Sequence, residues 1–237
     1  MVQKKKIKPF SALIEALEKI SRAIISELPL DDILKTVVNV SAEVLNLKIC
    51  SLMLLDEEKK ELVIRATQAV SEEYLKKPNL KLGQGVAGIV AQQGKPMVIK
   101  DVRKDPRYVN QEVAKKEKLC SLISLPLIVR GKTIGVLNVY TSRPHRFTKD
   151  EVNVLSVVAS QAALAIENAQ LQLKSKTAEE KLEERKIIER AKEILMEKGL
   201  SGEEAYQRMR KQSMDSRKPI KEIAEAILLT KDLNTKY

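Results

Sequence analysis

The spacing of apolar residues divides this chain into a helical start, a strand-rich middle and a helical end. Over residues 9–28 apolar side chains, among them Leu13 and Leu17, recur every three or four positions, which predicts an amphipathic helix. Pro29 interrupts this pattern, and a second helix is predicted to run on to about Leu45. The chain is therefore expected to open with a pair of helices.

Short apolar runs bounded by polar turns predict a sheet in the middle of the chain. Five strands are predicted, over residues 49–55, 61–69, 96–100, 120–129 and 133–140. The first two flank a polar run at 56–60 and the last two flank residues 130–132, so each of these pairs is expected to form a hairpin. Short helices are predicted after the glycines at 83–88 and near residues 109–118. Strands with helices before, between and after them indicate an α+β fold.

A long helix is predicted after the sheet. Thr148 and Glu151 have the spacing of a capping box, which marks the start of a helix. No glycine or proline occurs from His145 to Lys198, which permits one long helix over this stretch.

One face of this helix predicts contact with a second copy of the chain. Small and branched residues repeat there at seven-residue intervals on two adjoining stripes: Leu155, Ala162 and Ala169, and Val158, Ala165 and Gln172. Such a seam suits a parallel homodimer, and packing against the protein's own N-terminal helix is the alternative. The polar run at 174–177 breaks the seam and is predicted to be the point where the helix frays or bends.

The last sixty residues predict three amphipathic helices around a small core. Residues 185–196 form the first, Ser201 with Glu204 caps the second, and Pro219 suits the first turn of the third. Cations collect where the second helix ends and the third begins, against Asp215 alone: Arg208, Arg210, Lys211, Arg217, Lys218 and Lys221. A nucleic-acid backbone binds such a cluster, although a solvated helical face has the same pattern.

The charge and composition of the chain narrow its partners only partly. A formal net charge of +11 attracts RNA, DNA and acidic membranes alike. No stretch approaches the length of a membrane span, and no apolar signal region follows the lysines at 4–6, which favours a cytoplasmic protein without a membrane partner. Cys50 and Cys120 lie in apolar runs and are predicted to be buried free thiols.

The chain lacks the residue sets that enzymes and metal sites need. One histidine, His145, and two separated cysteines supply neither a nucleophile with its base nor a metal-ligand cluster, so no catalytic or metal site is predicted. His145 is predicted to be a solvent-exposed turn residue. Gly83, Gly85 and Gly88 match a dinucleotide-binding spacing, but the residues before them are not the buried strand that this fingerprint requires. The glycines are predicted to permit a tight turn over a pocket mouth.

The first 170 residues resemble a GAF domain. The resemblance rests on several motifs: Gly-x-Gly-x-Ala-Gly at 83–88, Gly-Lys-Pro-Met at 94–97, Asp-Pro-Arg at 105–107, Leu-Pro-Leu at 125–127, Gly-Lys-Thr-Ile-Gly-Val-Leu at 131–137 and Arg-Phe-Thr at 146–148. It implies an antiparallel sheet with packed helices, serving as a small-ligand sensor or a dimer scaffold. The motifs of the cyclic-nucleotide, phytochrome and haem subclasses are missing, and the pocket residues are expected to be generic apolar ones. The cofactor site and the signal, an unidentified small molecule, are therefore unassigned.

The end of the chain resembles the ANTAR domain, an RNA-binding three-helix module of bacterial antitermination regulators. This resemblance rests on the order of several short motifs: Arg-x-x-Ile, Ala-Lys, Leu-Met, Glu-Glu-Ala-aromatic, Met-Arg, Met, Arg-Lys and Ile-Ala. The chain departs from the family pattern at two positions, with Glu193 in place of the usual glycine and Ser213 in place of the usual alanine. The resemblance implies an RNA-hairpin site at Arg185, Lys192, Tyr206, Arg210, Lys211, Arg217 and Lys218. Arg185 and Lys192 would position the RNA, and the last four would contact phosphates and loop bases. Tyr206 would either stack on a base or pack in the core.

These expectations combine into one organisation and leave two alternatives. The chain is predicted to hold a GAF-like sensor domain with N-terminal helices at 1–170, a helical coiled-coil-type linker at 171–184 and an ANTAR-like RNA-binding domain at 185–237. It is predicted to be a dimeric, non-enzymatic antitermination regulator that binds an RNA hairpin. The alternatives are a helix-turn-helix DNA-binding regulator, with the 209–219 spacing counted as long for that motif, and a structural dimer that binds a protein partner.

Overall fold

The computed structural model describes residues 8–25, 28–44, 49–69 and 71–234. The chain divides into two compact units, Met1–Leu171 and Gln172–Tyr237. The lysines at 4–6 and the predicted helix end at Leu45 lie outside the described residues.

The first unit is built on a six-stranded antiparallel sheet. Its strands are β1 (Ile49–Asp56), β2 (Glu61–Thr67), β3 (Leu80–Lys81), β4 (Met97–Ile99), β5 (Leu122–Val129) and β6 (Lys132–Tyr140). Their order across the sheet is β3-β2-β1-β6-β5-β4. The five predicted strands are present with ends shifted by a few residues, whereas β3 was not predicted. Two residues paired at the sheet edge are too short to give a periodic signal.

The two predicted hairpins are present and owe their turns to local chemistry. Asp56 pairs with Glu61, and the Asp56 carboxylate accepts hydrogen bonds from the backbone N–H groups of Glu58 and Lys59 at 3.1 and 3.0 Å. Arg130 and Gly131 both have positive φ, as a type I′ turn requires. This turn matches the right-handed twist of β5 and β6.

One face of the sheet carries the N-terminal helices and the start of the long helix. These are α1 (Lys8–Ile25), α2 (Leu30–Val44) and α6 (Lys149–Glu197). Five residues of the predicted dimer seam are at most 7% exposed in this core: Leu155, Val158, Ala162, Ala165 and Ala169. They pack with residues of α1, α2 and the sheet, so the homodimer seam drawn through them is wrong and the alternative of packing within the chain holds.

The other face carries three short helices. These are α3 (Glu72–Leu75), α4 (Gly85–Gln93) and α5 (Gln111–Lys116). They enclose two smaller apolar clusters, one around Tyr74, Ile99 and Leu119 and one around Leu62 and Val90. Because both faces are covered, β5 is apolar at nearly every position instead of alternating. The single turn of α3 was not predicted.

Helix α6 is continuous over 49 residues, as its lack of glycine and proline permits, so the fraying or bend predicted at 174–177 was wrong. At its start the Glu151 carboxylate accepts the Thr148 N–H at 2.7 Å, and the Glu151 N–H reaches the Thr148 hydroxyl at 3.2 Å. The ring of His145 lies 3.1 Å from the same carboxylate and packs edge-on against Phe147. His145 is therefore a half-buried residue of the cap, not the solvent-exposed turn residue that the sequence predicted.

Helix α6 is also the one helix in the described part of the chain that is long and apolar enough to cross a membrane by length and composition. No such stretch was expected from the sequence. The apolar window of α6 is 44% buried inside the protein, where Ile166 and its neighbours pack against the sheet. Core packing accounts for the composition, because a buried helix needs the same apolar residues as a helix in lipid.

The second unit is formed by the end of α6, α7 (Gly202–Ser216) and α8 (Ile220–Asn234). Its core is Ala191, Met209 and Ala224, one from each helix, ringed by partly buried isoleucines and Leu195. The predicted capping box at Ser201 is complete, with hydrogen bonds in both directions to the residue three positions on. Pro219 directly precedes α8, and its carbonyl accepts hydrogen bonds from the backbone N–H groups of Glu222 and Ile223 in the first turn of that helix.

Candidate sensor pocket and nucleic acid interface

A cavity lies in the first unit between the sheet and the short helices. Strand residues form its floor, and α3, the start of α4 and the segment before α5 form its walls. Its lining includes Ser51, Met53, Tyr74, Lys77, Gly85, Val86, Tyr108, Leu122, Asn138 and Tyr140. Generic apolar residues were expected here from the sequence. Apolar residues do form most of the lining, but Lys77, Ser51, Asn138 and the tyrosine hydroxyls add polar groups that were not predicted.

Three of the chain's five tyrosines meet in this cavity. The rings of Tyr74 and Tyr108 each meet Tyr140 edge-on, with centroids 6.5 and 6.3 Å apart. The Tyr74 hydroxyl donates to the Ser51 hydroxyl at 3.0 Å, and the Tyr108 and Tyr140 hydroxyls lie 3.3 Å apart. Burial raises the pKa of Tyr140 well above its usual value, so the hydroxyls stay protonated.

A lysine stands among these rings. The Lys77 ammonium lies 3.4 Å from the centroid of the Tyr74 ring and donates to the Tyr108 hydroxyl at 3.3 Å. Burial lowers the pKa of Lys77 to about 7, against a smaller opposing effect of Glu117. An aromatic ring face attracts a cation, but it does not replace the water that burial removes.

A row of buried polar side chains crosses the centre of the sheet. Ser51, Asn138 and Ser124 are cross-strand neighbours on β1, β6 and β5, and each is at most 2% exposed. The Ser124 hydroxyl donates to the Asn138 side-chain oxygen at 2.7 Å. Polar groups in the middle of a sheet cost stability unless they are hydrogen-bonded, and Ser51, Ser124 and Asn138 each have a side-chain partner.

The glycines at 83–88 shape one wall of the cavity. Gly85 lines it with a φ of 66°, and a side chain on Gly88 would lie 2.3 Å from the Lys81 carbonyl oxygen. Both positions need glycine for backbone reasons, as the predicted tight turn requires. The residues before them form β3, an edge pair of two residues, and not the buried strand of a dinucleotide site.

The described residues give no sign of a metal or disulfide site. None of their His, Cys, Asp and Glu side chains form a group of three that could hold a metal ion. Cys50 and Cys120 are both buried free thiols, as predicted, and burial raises the pKa of Cys50.

In the second unit the predicted RNA-binding residues lie on two helices and one turn. Arg185 and Lys192 are seven residues apart on α6, which places them on one side of that helix. The Lys192 ammonium lies 2.9 Å from the Glu189 carboxylate, and the Lys218 ammonium lies 3.5 Å from the Glu222 carboxylate. Among the described residues no ion pair is recorded for Arg185, Arg210, Lys211 or Arg217.

One side of α7 brings several of these residues together. Tyr206, Arg210 and Met214 follow one another at helical spacing, and Arg217 is the residue that caps the end of the helix. We call these four residues the α7 stripe. Tyr206 is 38% exposed and Met214 is 70% exposed, and neither belongs to the core around Met209. Tyr206 therefore does not pack in the core, which was one of its two predicted roles. Sequence reasoning missed Met214, because an apolar residue on an amphipathic helix is normally assigned to the core.

The turn between α7 and α8 holds two of the cations in defined positions. Arg217 caps α7 with a φ of 54°, a left-handed conformation that glycine normally occupies. The Lys218 N–H donates to the Ser213 carbonyl at 3.1 Å, and the Ser213 hydroxyl donates to the Lys218 carbonyl. Ser213, one of the two departures from the ANTAR pattern, thus braces this turn.

This turn also corrects one step of the sequence analysis. Helices α7 and α8 are separated by residues 217–219 only, which is the length of a helix-turn-helix turn. The spacing argument against a DNA-binding helix-turn-helix was therefore wrong, because α7 continues beyond Met209 to Ser216. The distinction between RNA and DNA must come from other features.

Comparison with known domains assigns both parts of the chain. Residues 27–167 match the family model of the GAF domain, and residues 176–228 match that of the ANTAR domain. The solved GAF domain of a phosphoenolpyruvate-protein phosphotransferase from Coxiella burnetii is similar, with a TM-score of 0.61 and 26% identity. That similarity covers 68% of this chain and 96% of the other.

Two sequence relatives match stretches of different length. A methyl sulfide methyltransferase-associated sensor from Methanosarcina acetivorans is 28% identical over 163 residues, which are 67% of this chain and 16% of that protein. A nitrate regulatory protein from Klebsiella oxytoca is 49% identical over 53 residues, which are 22% of this chain and 13% of that protein. The chain spans less than a third of the length of these relatives.

Proposed function

The chain belongs to the GAF domain family and continues into an ANTAR domain, the RNA-binding output module of a regulatory protein, and from this premise we propose that it is a transcription antitermination regulator. Its C-terminal module binds an RNA hairpin and so prevents formation of a competing terminator stem. The sensor domain controls that binding. The chain works in the cytoplasm without a membrane partner and has no catalytic activity of its own.

The observation that carries this proposal is the α7 stripe. Arg210 and Arg217 have no recorded carboxylate partner in the described part of the chain, and they alternate with the exposed side chains of Tyr206 and Met214. Splayed bases of an RNA loop stack on aromatic and guanidinium planes, whereas phosphates pair with the charges. A purely solvated face does not need exposed apolar side chains between its cations.

The residues have distinct roles in this proposal. Arg210, Lys211 and Lys218 contact phosphates, Arg185 positions the hairpin from α6, and Arg217 reads a loop base from its constrained turn. Lys192, whose side chain is only 22% exposed, must leave Glu189 to reach RNA.

Binding measurements with RNA and DNA test the proposal. A hairpin RNA and a duplex DNA of matched length are titrated with the full chain over a salt series. Each phosphate contact contributes about −0.7 to the log–log slope for single strands, so Arg210→Ala and Lys218→Ala each lower its magnitude by about that amount. Lys198→Ala is the matched control, because Lys198 is an exposed cation of the same unit outside the stripe.

The outcomes separate the candidate functions. Preference for the hairpin together with the two slope changes supports the antiterminator. Preference for duplex DNA with the same slope changes indicates a helix-turn-helix regulator. Three variants with the slope of the unaltered protein mean that the cluster is merely solvated, and a protein-binding scaffold is then the better assignment.

In this proposal the state of the sensor domain at 1–170 is transmitted to the RNA-binding domain at 185–237 through the linker at 171–184. Helix α6 is continuous through the polar run at 174–177, where the Thr177 hydroxyl donates to the Leu173 carbonyl. Each inserted residue turns a helix by about 100°. Inserting two residues at 176 therefore breaks the sensor's control of RNA binding, whereas inserting seven nearly restores the phase and keeps it. Equal regulation by both insertions rules out a rigid relay.

A homodimer remains part of the proposal, on a different face of α6. Val157, Leu164 and Leu171 are 43–44% exposed and recur every seven residues, the repeat by which parallel helices pair. Leu164→Glu is expected to shift the sedimentation of the protein from dimer to monomer at micromolar concentration. Leu173→Glu, at an exposed position on the opposite side of the helix, is the control that leaves the dimer intact.

A further inference from the structure

The sensor pocket carries positive charge that nothing in its lining neutralises. No aspartate or glutamate is among the described residues that line the pocket, and no ion pair is recorded for Lys77 with a described residue. The first turn of α4 adds to this charge, because Gly85 and Val86 line the pocket at the helix end that carries the positive pole. A half-buried ammonium without a counter-ion is costly, and an anion in the cavity removes that cost.

A buried amide also faces the pocket without a partner. Asn138 is 2% exposed and lines the pocket, and its side-chain oxygen is occupied by the Ser124 hydroxyl. No acceptor is recorded for its NH₂ group among the described residues. Every fully buried side-chain nitrogen or oxygen among the described residues has a hydrogen-bond partner. Since the Asn138 NH₂ group has none, it is not fully buried, and it opens onto the cavity that Asn138 lines. It is a fixed donor near the centre of the pocket floor.

The size and walls of the cavity restrict the anion. The space open to the centres of water-sized molecules is about 40 Å³, and one water needs roughly 10–15 Å³ of such space. A ligand that fits without rearrangement therefore has only a few heavy atoms. The tyrosine rings, Val86 and Leu122 form apolar walls that suit a short hydrocarbon and do not provide the full set of donors that a phosphate requires.

We propose that this pocket binds a small monocarboxylate, with its carboxylate between the Lys77 ammonium and the Asn138 amide and its hydrocarbon against the tyrosine rings. The inference rests on the proposed sensor function and names the class of its signal. The contact with the Tyr74 ring holds the Lys77 ammonium in place, and its hydrogen bond to the Tyr108 hydroxyl uses one of its three N–H groups.

Calorimetric titration of the full chain with two nearly isosteric probes tests the charge. Propionate is expected to bind at pH 6.5 at least ten times more tightly than propionamide, which has the same shape without the charge. Sodium phosphate at the same ionic strength is the third probe and is expected not to compete. Equal binding of propionate and propionamide overturns the proposal, and so does displacement of propionate by phosphate.

Variants locate the site. Lys77→Met and Asn138→Leu are each expected to weaken propionate binding at least tenfold, whereas Lys59→Met, in the exposed β1–β2 turn, leaves it unchanged. Full affinity in Lys77→Met overturns the assignment. The near-ultraviolet circular dichroism of the tyrosines reports whether each variant folds. If a variant does not fold, the propionate–propionamide comparison on the unaltered protein still decides.

The pH dependence supplies an independent readout. Tyr74 from α3 and Tyr108 contact the Lys77 ammonium, and the charge of Glu117, at the end of α5, acts on its pKa. With a Lys77 pKa of about 7, propionate affinity is expected to fall about tenfold from pH 6 to pH 8, because only the protonated amine pairs with the carboxylate. A flat profile contradicts the pairing. Hairpin RNA affinity measured on the same preparation separates this failure from failure of the proposed regulator, whose site lies in the other unit.

Discussion

Replacing Lys77 with methionine should change how the stability of the sensor unit depends on pH. Burial lowers the pKa of Lys77 from 10.5 to about 7. Between those two pH values the unfolded chain therefore binds a proton that the folded chain does not, and the free energy of unfolding rises with pH. Below pH 7 the folded protein bears the full cost of a charged, half-buried amine. Methionine keeps the length of the side chain and removes this cost.

The magnitude follows from the two pKa values. Proton linkage gives the unaltered protein a gain of about 2–3 kcal/mol in unfolding free energy between pH 6 and pH 9, as an upper bound because part of the lysine contacts solvent. Lys77→Met lacks this gain. It is expected to exceed the unaltered protein in stability at pH 6, and its advantage shrinks by the same amount by pH 9. Subtracting the two proteins cancels the titration of every other group.

Urea unfolding at pH 6, 7, 8 and 9 measures the difference. The near-ultraviolet circular dichroism of tyrosine reports on the sensor unit, since three of the five tyrosines belong to the pocket cluster. Lys59→Met controls for loss of one surface charge and is expected to parallel the unaltered protein. The quantity to follow is the difference in unfolding free energy between Lys77→Met and the unaltered protein. If this difference changes by less than about 0.5 kcal/mol between pH 6 and pH 9, burial does not depress the pKa of this lysine.

Three further predictions concern local features. Arg217→Gly relieves a left-handed backbone at φ 54°, so it should stabilise the C-terminal unit by about 1 kcal/mol in urea unfolding while weakening hairpin RNA binding; loss of stability would contradict the strain. Ser201→Ala removes the helix cap and should cost about 1 kcal/mol in the same assay, and no loss would mean that the cap is idle. Gly88→Ala brings a methyl group within 2.3 Å of the Lys81 carbonyl oxygen and should therefore lower the stability of the protein strongly. Gly131→Ala is the control, because its methyl group meets no atom within 4 Å and costs only about 1–2 kcal/mol for its positive φ. Equal losses of stability in the two variants would argue against the close approach at Gly88.

The sequence by itself determined the features that depend on residues a few positions apart. Both capping boxes form as their spacing predicts, because the side chain and the N–H that it accepts are three residues apart in any helix start. The type I′ turn at Arg130 and Gly131 and the unbroken helix α6 are local in the same way. The order of motifs was sufficient to identify both domains, because each motif is a short run of residues that are neighbours in the chain.

Only the tertiary structure decided which surfaces face each other. A helical stripe such as Leu155, Ala162 and Ala169 has the same period whether it packs against a second copy or its own sheet, so the sequence could not exclude the dimer seam. The pocket was invisible for a related reason. Tyr74, Lys77 and Asn138 come from separate elements, and their proximity follows from the strand order and the crossing segments between strands. Charge, burial and the depressed pKa of Lys77 arise from that proximity, because desolvation depends on every neighbour in space and not on neighbours in the chain.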